Sequence, residues 1–224
     1  FAGGIGFGTI FLKKGYSLQR TYALSKLESA MMPAIQVGLL VLVVTAPAFI
    51  FFSQKGPGAM HAPWLISLAA GLVVGGLSQF SRLCTVGGFR DLFLFKKSIL
   101  IFGYLAVLIG VFVVNISFGN FHLGFENQPI AHTDGLWNFL GMALAGFCSV
   151  LLGGCPLRQL IMTGEGNSDS AVTVLGLAAG AAFAHNFGLA ATGAGPTLNG
   201  EIAVGVGFVV ALIIAILNTK RVNA

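Results

Sequence analysis

Charged side chains are rare in this sequence, and their scarcity excludes a large class of proteins. The chain has 12 Lys and Arg and 7 Asp and Glu among its 224 residues, so charged residues make up 8% of it. Soluble domains carry about 25% charged residues, which cover the surface that faces water. Hydrophobic residues make up 56%, and the mean hydropathy is +0.90. The composition therefore excludes a soluble enzyme and indicates a protein that lies within a lipid bilayer.

Cysteine and histidine are too few, and too widely spaced, for several kinds of site. The three cysteines, Cys84, Cys148 and Cys155, form no disulfide framework, and we interpret them as free thiols. The histidine spacing matches no zinc template. The glycine clusters lack the lysine of a phosphate-binding loop. We therefore expect no metal site and no cofactor. The net charge of +5 comes from basic loops and does not indicate nucleic-acid binding.

Long apolar runs dominate the sequence instead. A helix that spans a bilayer needs about 20 mostly apolar residues. One partial run and six full ones meet or approach this length. The partial run is 1–12, and the full runs are 31–52, 64–80, 98–118, 136–152, 171–192 and 202–217. These runs predict an all-α, polytopic transmembrane helix bundle that forms a single domain over residues 1–224. Because Phe1 already lies in an apolar run, we expect an amino-terminal part to be missing from the sequence.

Basic residues alternate between the two sides of the predicted bundle. Cytoplasmic loops of membrane proteins carry an excess of Lys and Arg. Eleven of the 12 basic residues fall in alternate loops, and Lys55 is the exception. The eleven are Lys13, Lys14, Arg20, Lys26, Arg82, Arg90, Lys96, Lys97, Arg158, Lys220 and Arg221. We therefore place these loops in the cytoplasm of a multi-pass protein of the cell inner membrane.

Two segments, 81–91 and 153–169, interrupt the helical pattern. In each, an apolar helix ends, a cysteine follows, and an arginine comes three to six residues later. Pro156 breaks a continuing helix because it has no backbone N–H. Non-helical backbone within a bilayer is tolerated only where it is buried in protein or lines a cavity. We therefore predict re-entrant, half-membrane loops or broken helices that carry the cysteines, a device from which transporters often build substrate sites.

The side chains of these segments suit a small anion that contains a soft chalcogen. A thiol is polarisable, and the guanidinium group has a planar fork of donors that matches oxyanions. The candidate substrate-binding residues are Cys84, Cys155, Arg90, Arg158, Thr85, His185 and Asn186. Each has an alternative interpretation: the cysteines as small apolar fillers, the arginines as anchors at the cytoplasmic side, and His185 and Asn186 as partners in an interhelical hydrogen bond.

Several other residues are interpreted as structural. Cys148 lies in an uninterrupted apolar run and is predicted to be a filler. Gln79 is predicted to be a packing group, and Glu165 to help close the second cysteine loop. Ser168 or Asp169 is predicted to cap the helix that follows. Gly71, Gly75, Gly76, Gly176 and Gly180 have the small-residue spacing of close helix contacts.

The two cysteine segments resemble those of a known family. Residues 84–91, 153–161 and 164–167 resemble the YeeE/YedE membrane proteins, and the likeness is strongest to the YedE branch, which is associated with selenium metabolism. Residues 128–135 and 184–189 look like that branch too. The resemblance implies a compact bundle with half-membrane loops, in the carboxy-terminal portion of a larger pseudo-symmetric protein. It also implies transport of thiosulfate or a selenium compound, with Cys84 and Cys155 handing the ion along a central path. Cys148 does not align with such a position.

We therefore expect a transporter of a small sulfur- or selenium-containing ion, and not an enzyme. No histidine lies near either cysteine in the sequence to serve as a general base. The alternative is a membrane relay subunit that forms a cysteine persulfide or perselenide and passes it to a soluble cytoplasmic sulfur or selenium carrier. A third interpretation is a purely structural membrane subunit.

Overall fold

The computed structural model describes residues 1–18, 25–49, 62–124 and 132–219, and nine helices lie within these ranges. The helices are α1 (Ala2–Lys13), α2 (Lys26–Thr45), α3 (Trp64–Ser81), α4 (Thr85–Phe95), α5 (Ile99–Ser117), α6 (Gly135–Leu151), α7 (Pro156–Gly164), α8 (Ser168–Asn186) and α9 (Leu198–Leu217). The predicted residues that fall outside the described ranges are Arg20, Lys55, Lys220 and Arg221, together with 50–52 and 128–131.

The prediction of an all-α bundle is confirmed, because the described residues form helices and no strand. Four helical stretches among them are long and apolar enough to cross a membrane: Trp64–Phe95, Ile99–Ser117, Gly135–Gly164 and Leu198–Leu217. The predicted spans 31–52 and 171–192 also contain helices, α2 and α8, but these fall outside that set. The apolar part of α2 is only Ala30–Thr45, and small or polar residues lower the hydropathy of α8.

The centre of the bundle is the packing of α1 against α6, which glycines make possible. A Cβ atom at Gly4 would overlap the backbone carbonyl of Ala143. A Cβ at Gly8 would lie 2.9 Å from the Cβ of Val150, and one at Gly146 would overlap the carbonyl of Phe1. The two backbones therefore approach as closely as small residues allow, as in other membrane helix pairs.

The glycines that the sequence singled out for close helix contact do not have that role in the described chain. A Cβ at Gly71, Gly75, Gly76, Gly176 or Gly180 would meet none of its atoms within 4 Å. That prediction is wrong, because small-residue spacing shows only that one face of a helix carries small side chains. Which face meets a neighbour is decided by the fold, and here the neighbours are α1 and α6.

Two clusters of buried side chains flank the α1–α6 contact. The first contains Ile5, Cys84, Val86, Val150 and Cys155. The second is built around Phe147, with Tyr16, Leu151, Ala211 and Ala215, and joins α6 to α9. The Phe147 ring lies 5.1 Å from that of Phe7 and 5.8 Å from that of Phe11, and the Tyr16 hydroxyl donates to the Leu151 carbonyl at 3.2 Å.

The outer helices present apolar side chains that the described chain does not cover. In the most apolar window of Gly135–Gly164, 44% of the residues are buried, against 6% in Trp64–Phe95 and none in Ile99–Ser117. Exposed apolar surface of this extent is unfavourable in water but suits the hydrocarbon interior of a bilayer. The helices α3 and α5 therefore lie at the periphery, and α1 and α6 lie at the centre.

We expect Gly4→Ala to destabilise the protein by about 1–3 kcal/mol, because the added methyl group forces α1 away from α6. The matched control is Gly3→Ala in the same helix, where a Cβ meets nothing within 4 Å. Thermal unfolding in detergent micelles measures both. Equal unfolding midpoints for the two variants would contradict the α1–α6 packing.

Candidate functional site

Cys84 and Cys155 each follow a helix, and the two helices end in the same backbone motif. At the end of α3, the amide of Leu83 donates to the carbonyl of Ser78 at 3.1 Å, and that of Arg82 donates to Gln79 at 3.2 Å. The end of α6 has the same pair of bonds, with the acceptor carbonyls five and six residues before Cys155. This pair of bonds forms a Schellman motif. The motif needs one left-handed residue, and this is Arg82 (φ 52°) in α3 and Gly153 (φ 81°) in α6.

Each cysteine then begins a short helix. Cys84 is the N-cap of α4, and its sulfur accepts a hydrogen bond from the Gly87 amide at 3.2 Å. Cys155 is the N-cap of α7, where Pro156 occupies the first turn and needs no hydrogen-bond acceptor for its nitrogen. The segments predicted as re-entrant loops or broken helices are therefore broken helices, with the break confined to a few residues before each cysteine.

The fold brings the two thiols together. The side chains of Cys84 and Cys155 lie together in one buried cluster, and neither forms a disulfide. Because Cys84 is the N-cap of α4 and Cys155 is the N-cap of α7, the first turns of both helices lie beside the pair. The amino-terminal ends of α4 and α7 thus converge on the pair, and such ends favour negative charge.

Aliphatic side chains enclose the thiol pair. Cys84 is 8% exposed and Cys155 is 5% exposed, and both contact the buried cluster of Ile5, Val86 and Val150. A groove of about 810 Å³ comes close to the pair, since its lining includes Gly153 and Gln159, but neither cysteine lines it. In this conformation the thiols are separated from the groove.

Arg90 and Arg158, the two candidate arginines of the cysteine segments, have different partners. Arg90 pairs with its own neighbour, Asp91, through contacts of 2.9 Å and 2.8 Å to one carboxylate oxygen. Arg158 instead joins separate parts of the chain: its guanidinium donates to the Gln79 side chain at 3.1 Å and lies 3.7 Å from the Glu165 carboxylate. The Gln79 amide also donates to Glu165. We call Gln79, Arg158 and Glu165 the Arg158 cluster.

The described chain does not bring the other predicted site residues to the thiol pair. His185 and Asn186 end α8, about 27 Å along its axis from Ser168. Both are exposed, and Asn186 donates to the Ala182 carbonyl of its own helix at 2.8 Å. Their predicted role remains untested. Cys148 contacts the second cluster, around Phe147.

Three structural roles differ from those that the residue types predict or are not predicted by them. The cap of α8 is Asn167, whose side chain accepts from the Ser170 amide at 2.9 Å, rather than Ser168 or Asp169. Gln159, 3% exposed, donates to the Leu152 carbonyl at 2.9 Å and so ties α7 to the end of α6. Gln79, interpreted as a packing group, is a member of the Arg158 cluster. A polar residue in an otherwise apolar helix end was the available signal for Gln79.

A comparison with known protein families gives a match over most of the chain. A family profile described as sulphur transport matches residues 80–220, which include both cysteine breaks. The chain belongs to the sulphur transport (YeeE/YedE) family. No curated protein and no solved structure matches the chain. Membership of the sulphur transport family, with four helices able to cross a membrane, makes this a multi-pass membrane protein and points to transport of a sulfur compound rather than to catalysis.

We expect Gln159→Leu to destabilise this sulphur transport protein by about 1–3 kcal/mol, because the Leu152 carbonyl loses its buried donor. Leu160→Ala is the control, since Leu160 is the next residue of α7 and is 51% exposed. Thermal unfolding in detergent micelles compares them. A larger loss of stability for Leu160→Ala would argue against this role of Gln159.

Proposed function

We propose that this protein carries a small sulfur- or selenium-containing anion, similar to thiosulfate, across the cell inner membrane along a path that passes the Cys84–Cys155 pair. The observation that carries the proposal is that two free thiols from separate broken helices lie in one buried cluster, each at the start of a helix. Family membership supplies the general function, transport of a sulfur compound.

The surroundings of the pair suit both ends of such an ion. The polarisable sulfur atoms of Cys84 and Cys155 suit a terminal sulfur or selenium, which accepts weak S–H hydrogen bonds. The Gly87 amide at the Cys84 sulfur and the starts of α4 and α7 beside the pair suit the negative charge, because helix amino-terminal ends bind anions. An ion that entered between the thiols would replace their mutual contact with contacts to itself, without forming a covalent bond. Thr85 contributes here through its amide.

Because the thiol pair is buried, this conformation is the closed state of the proposed path. The ion approaches through the groove that Gly153 and Gln159 line, and the aliphatic side chains of Ile5, Val86 and Val150 must move before it reaches the thiols. Such a barrier prevents the free passage of other ions. Transport then consists of opening and closing the space around the pair.

The remaining predicted residues have separate places in the proposed path. Arg158, 21% exposed in its side chain and three residues from Cys155, attracts the anion towards the pair. Arg90 adds positive charge at α4, but Asp91 offsets most of it. His185 and Asn186, at the far end of α8, contact the ion at a different depth in the membrane.

The alternative is a relay subunit in which the thiolate of Cys84 or Cys155 attacks the terminal sulfur or selenium of a thiosulfate-like ion. Sulfite leaves, and the resulting persulfide or perselenide is passed to a soluble cytoplasmic carrier. Transfer to another protein requires that the carrier's own sulfur atom reach the cysteine. With Cys84 at 8% and Cys155 at 5% exposure, a small ion approaches these sulfurs more readily than a protein does. The burial of both thiols therefore favours transport.

We expect Cys84→Ala and Cys155→Ala each to lower the uptake of radiolabelled thiosulfate into vesicles at least about tenfold, the effect of roughly 1.4 kcal/mol on a barrier. Each variant removes one of the two soft groups that the ion contacts. Cys148→Ala is the control, because Cys148 contacts the second cluster and not the pair. The vesicles contain the intact protein, and monodisperse elution from a sizing column shows that each variant is folded.

Competition by unlabelled ions identifies the substrate class. Excess selenosulfate, which has a terminal selenium, tests a selenium compound, and excess sulfate, which has no terminal soft atom, should not compete. Full uptake by both cysteine variants would refute the path past the pair. A cysteine that gains the mass of one sulfur atom during turnover, without uptake into vesicles, would instead establish the relay.

A further inference from the structure

The Arg158 cluster places a carboxylate of the protein where a transported anion would bind. The guanidinium of Arg158 lies 3.7 Å from a Glu165 oxygen and donates to the Gln79 side chain at 3.1 Å. Gln79 also donates to the other Glu165 oxygen. The cation nearest to Cys155 in the sequence is therefore partly occupied by an internal anion.

The contact between Arg158 and Glu165 is weak enough for an external anion to replace it. A distance of 3.7 Å makes it an ion pair without a close hydrogen bond, and both side chains are partly exposed, at 21% and 38%. Ion pairs at this exposure contribute little stability. A guanidinium has five N–H donors, and within the described part of the chain Arg158 uses one in a hydrogen bond, to Gln79. Donors therefore remain for an oxyanion.

Gln79 connects this competition to the other cysteine. It lies in the last turn of α3, and its own carbonyl accepts the Arg82 amide in the turn that leads to Cys84. The same residue contacts Arg158 and Glu165 through its side chain, and those two residues belong to α7 and its end. A change in the partner of Arg158 therefore alters how the end of α3 is held against α7.

We propose that Glu165 is an internal competitor that sets the affinity of Arg158 for the transported anion, and that Gln79 transmits the exchange of partners to the Cys84 side of the site. This inference rests on the proposed transport function. Arg158 pairs with Glu165 when no anion is bound. An arriving oxyanion takes the guanidinium, Glu165 is released towards the solvent, and Gln79 loses one of its two partners. Glu165 and Gln79 are positioning residues, because they act through Arg158.

Arg90 does not have the contacts that this proposal requires of Arg158. Arg90 and Asp91 are neighbours in one helix, at 2.8 Å, so their pairing does not hold separate elements together. An anion that displaced Asp91 would have little effect on the contact between the broken helices. Arg158 also pairs within its own helix and cap, with Glu165, but its hydrogen bond to Gln79 joins α7 to the end of α3.

Two substitutions in the intact, reconstituted protein should change the concentration dependence of thiosulfate uptake in opposite directions. Glu165→Gln keeps the shape of the side chain and removes the competing charge, so the KM for radiolabelled thiosulfate should fall roughly two- to fivefold, the range expected for a partly exposed ion pair. Gln79→Glu adds a second carboxylate facing Arg158, so the KM should rise by a similar factor. A merely structural role would not give opposite shifts.

Glu201→Gln is the control, because Glu201 lies in the first turn of α9 and outside the Arg158 cluster. It should leave the KM unchanged. If one of the two test variants fails to elute as a monodisperse protein, the other still gives the sign of the shift. An unchanged KM in the folded variants, or a shift of the same sign in both, would overturn the inference while the proposed function stands. Absence of thiosulfate uptake by the wild-type protein would instead overturn the proposed function.

Discussion

The contact between the thiols of Cys84 and Cys155 depends on the close approach of two helix backbones, α1 and α6. Gly4, Gly8 and Gly146 allow this approach, since a Cβ atom at each position would overlap the facing helix or press against it. Ile5 lies between these glycines on α1, is fully buried, and contacts the cluster that contains both cysteines. A wider separation would leave a space beside the thiols, and this space would admit water or ions. The packing of α1 therefore keeps the pair closed.

The broken helices satisfy most of their backbone groups locally, which makes the breaks compatible with a membrane. Each helix end uses a Schellman motif, each cysteine begins the next helix, and Gln159 donates to the Leu152 carbonyl. A polar backbone group left without a partner in hydrocarbon costs several kcal/mol. Because α4 and α7 begin immediately after the breaks, their first turns lie beside the thiols, and the Gly87 amide donates to the Cys84 sulfur. The helix starts that follow the breaks therefore satisfy backbone groups and also bring positive potential close to the thiols.

The two arginines of the cysteine segments differ in how their positive charge is compensated. Arg90 is neutralised by the next residue in the sequence, whereas Arg158 contacts Glu165 at the end of its own helix and Gln79 at the end of α3. A charge held by its own helix is a fixed feature of that helix. A charge held across elements changes its surroundings when the elements move, and it can therefore couple binding to movement. The two arginines look equivalent in the sequence, and only the contacts of Arg158 give it this capacity.

The sequence by itself determined the class of the protein, the positions of the breaks and the residues that interrupt the helices. Low charge and long apolar runs required a helical membrane bundle, and the glycines, Pro156 and the cysteines marked the breaks, because these properties are local. Of the two predicted forms, re-entrant loops or broken helices, the structure has broken helices, because Cys84 and Cys155 serve as N-caps of α4 and α7. The close-packed glycines were different from those expected, and the partners of Gln79, Arg158 and Glu165 could not be foreseen. Tertiary structure decided these features, since they depend on which helix faces meet. The pairing of two thiols that are far apart in the chain is likewise a property of the folded backbone, and no local pattern of residues specifies it.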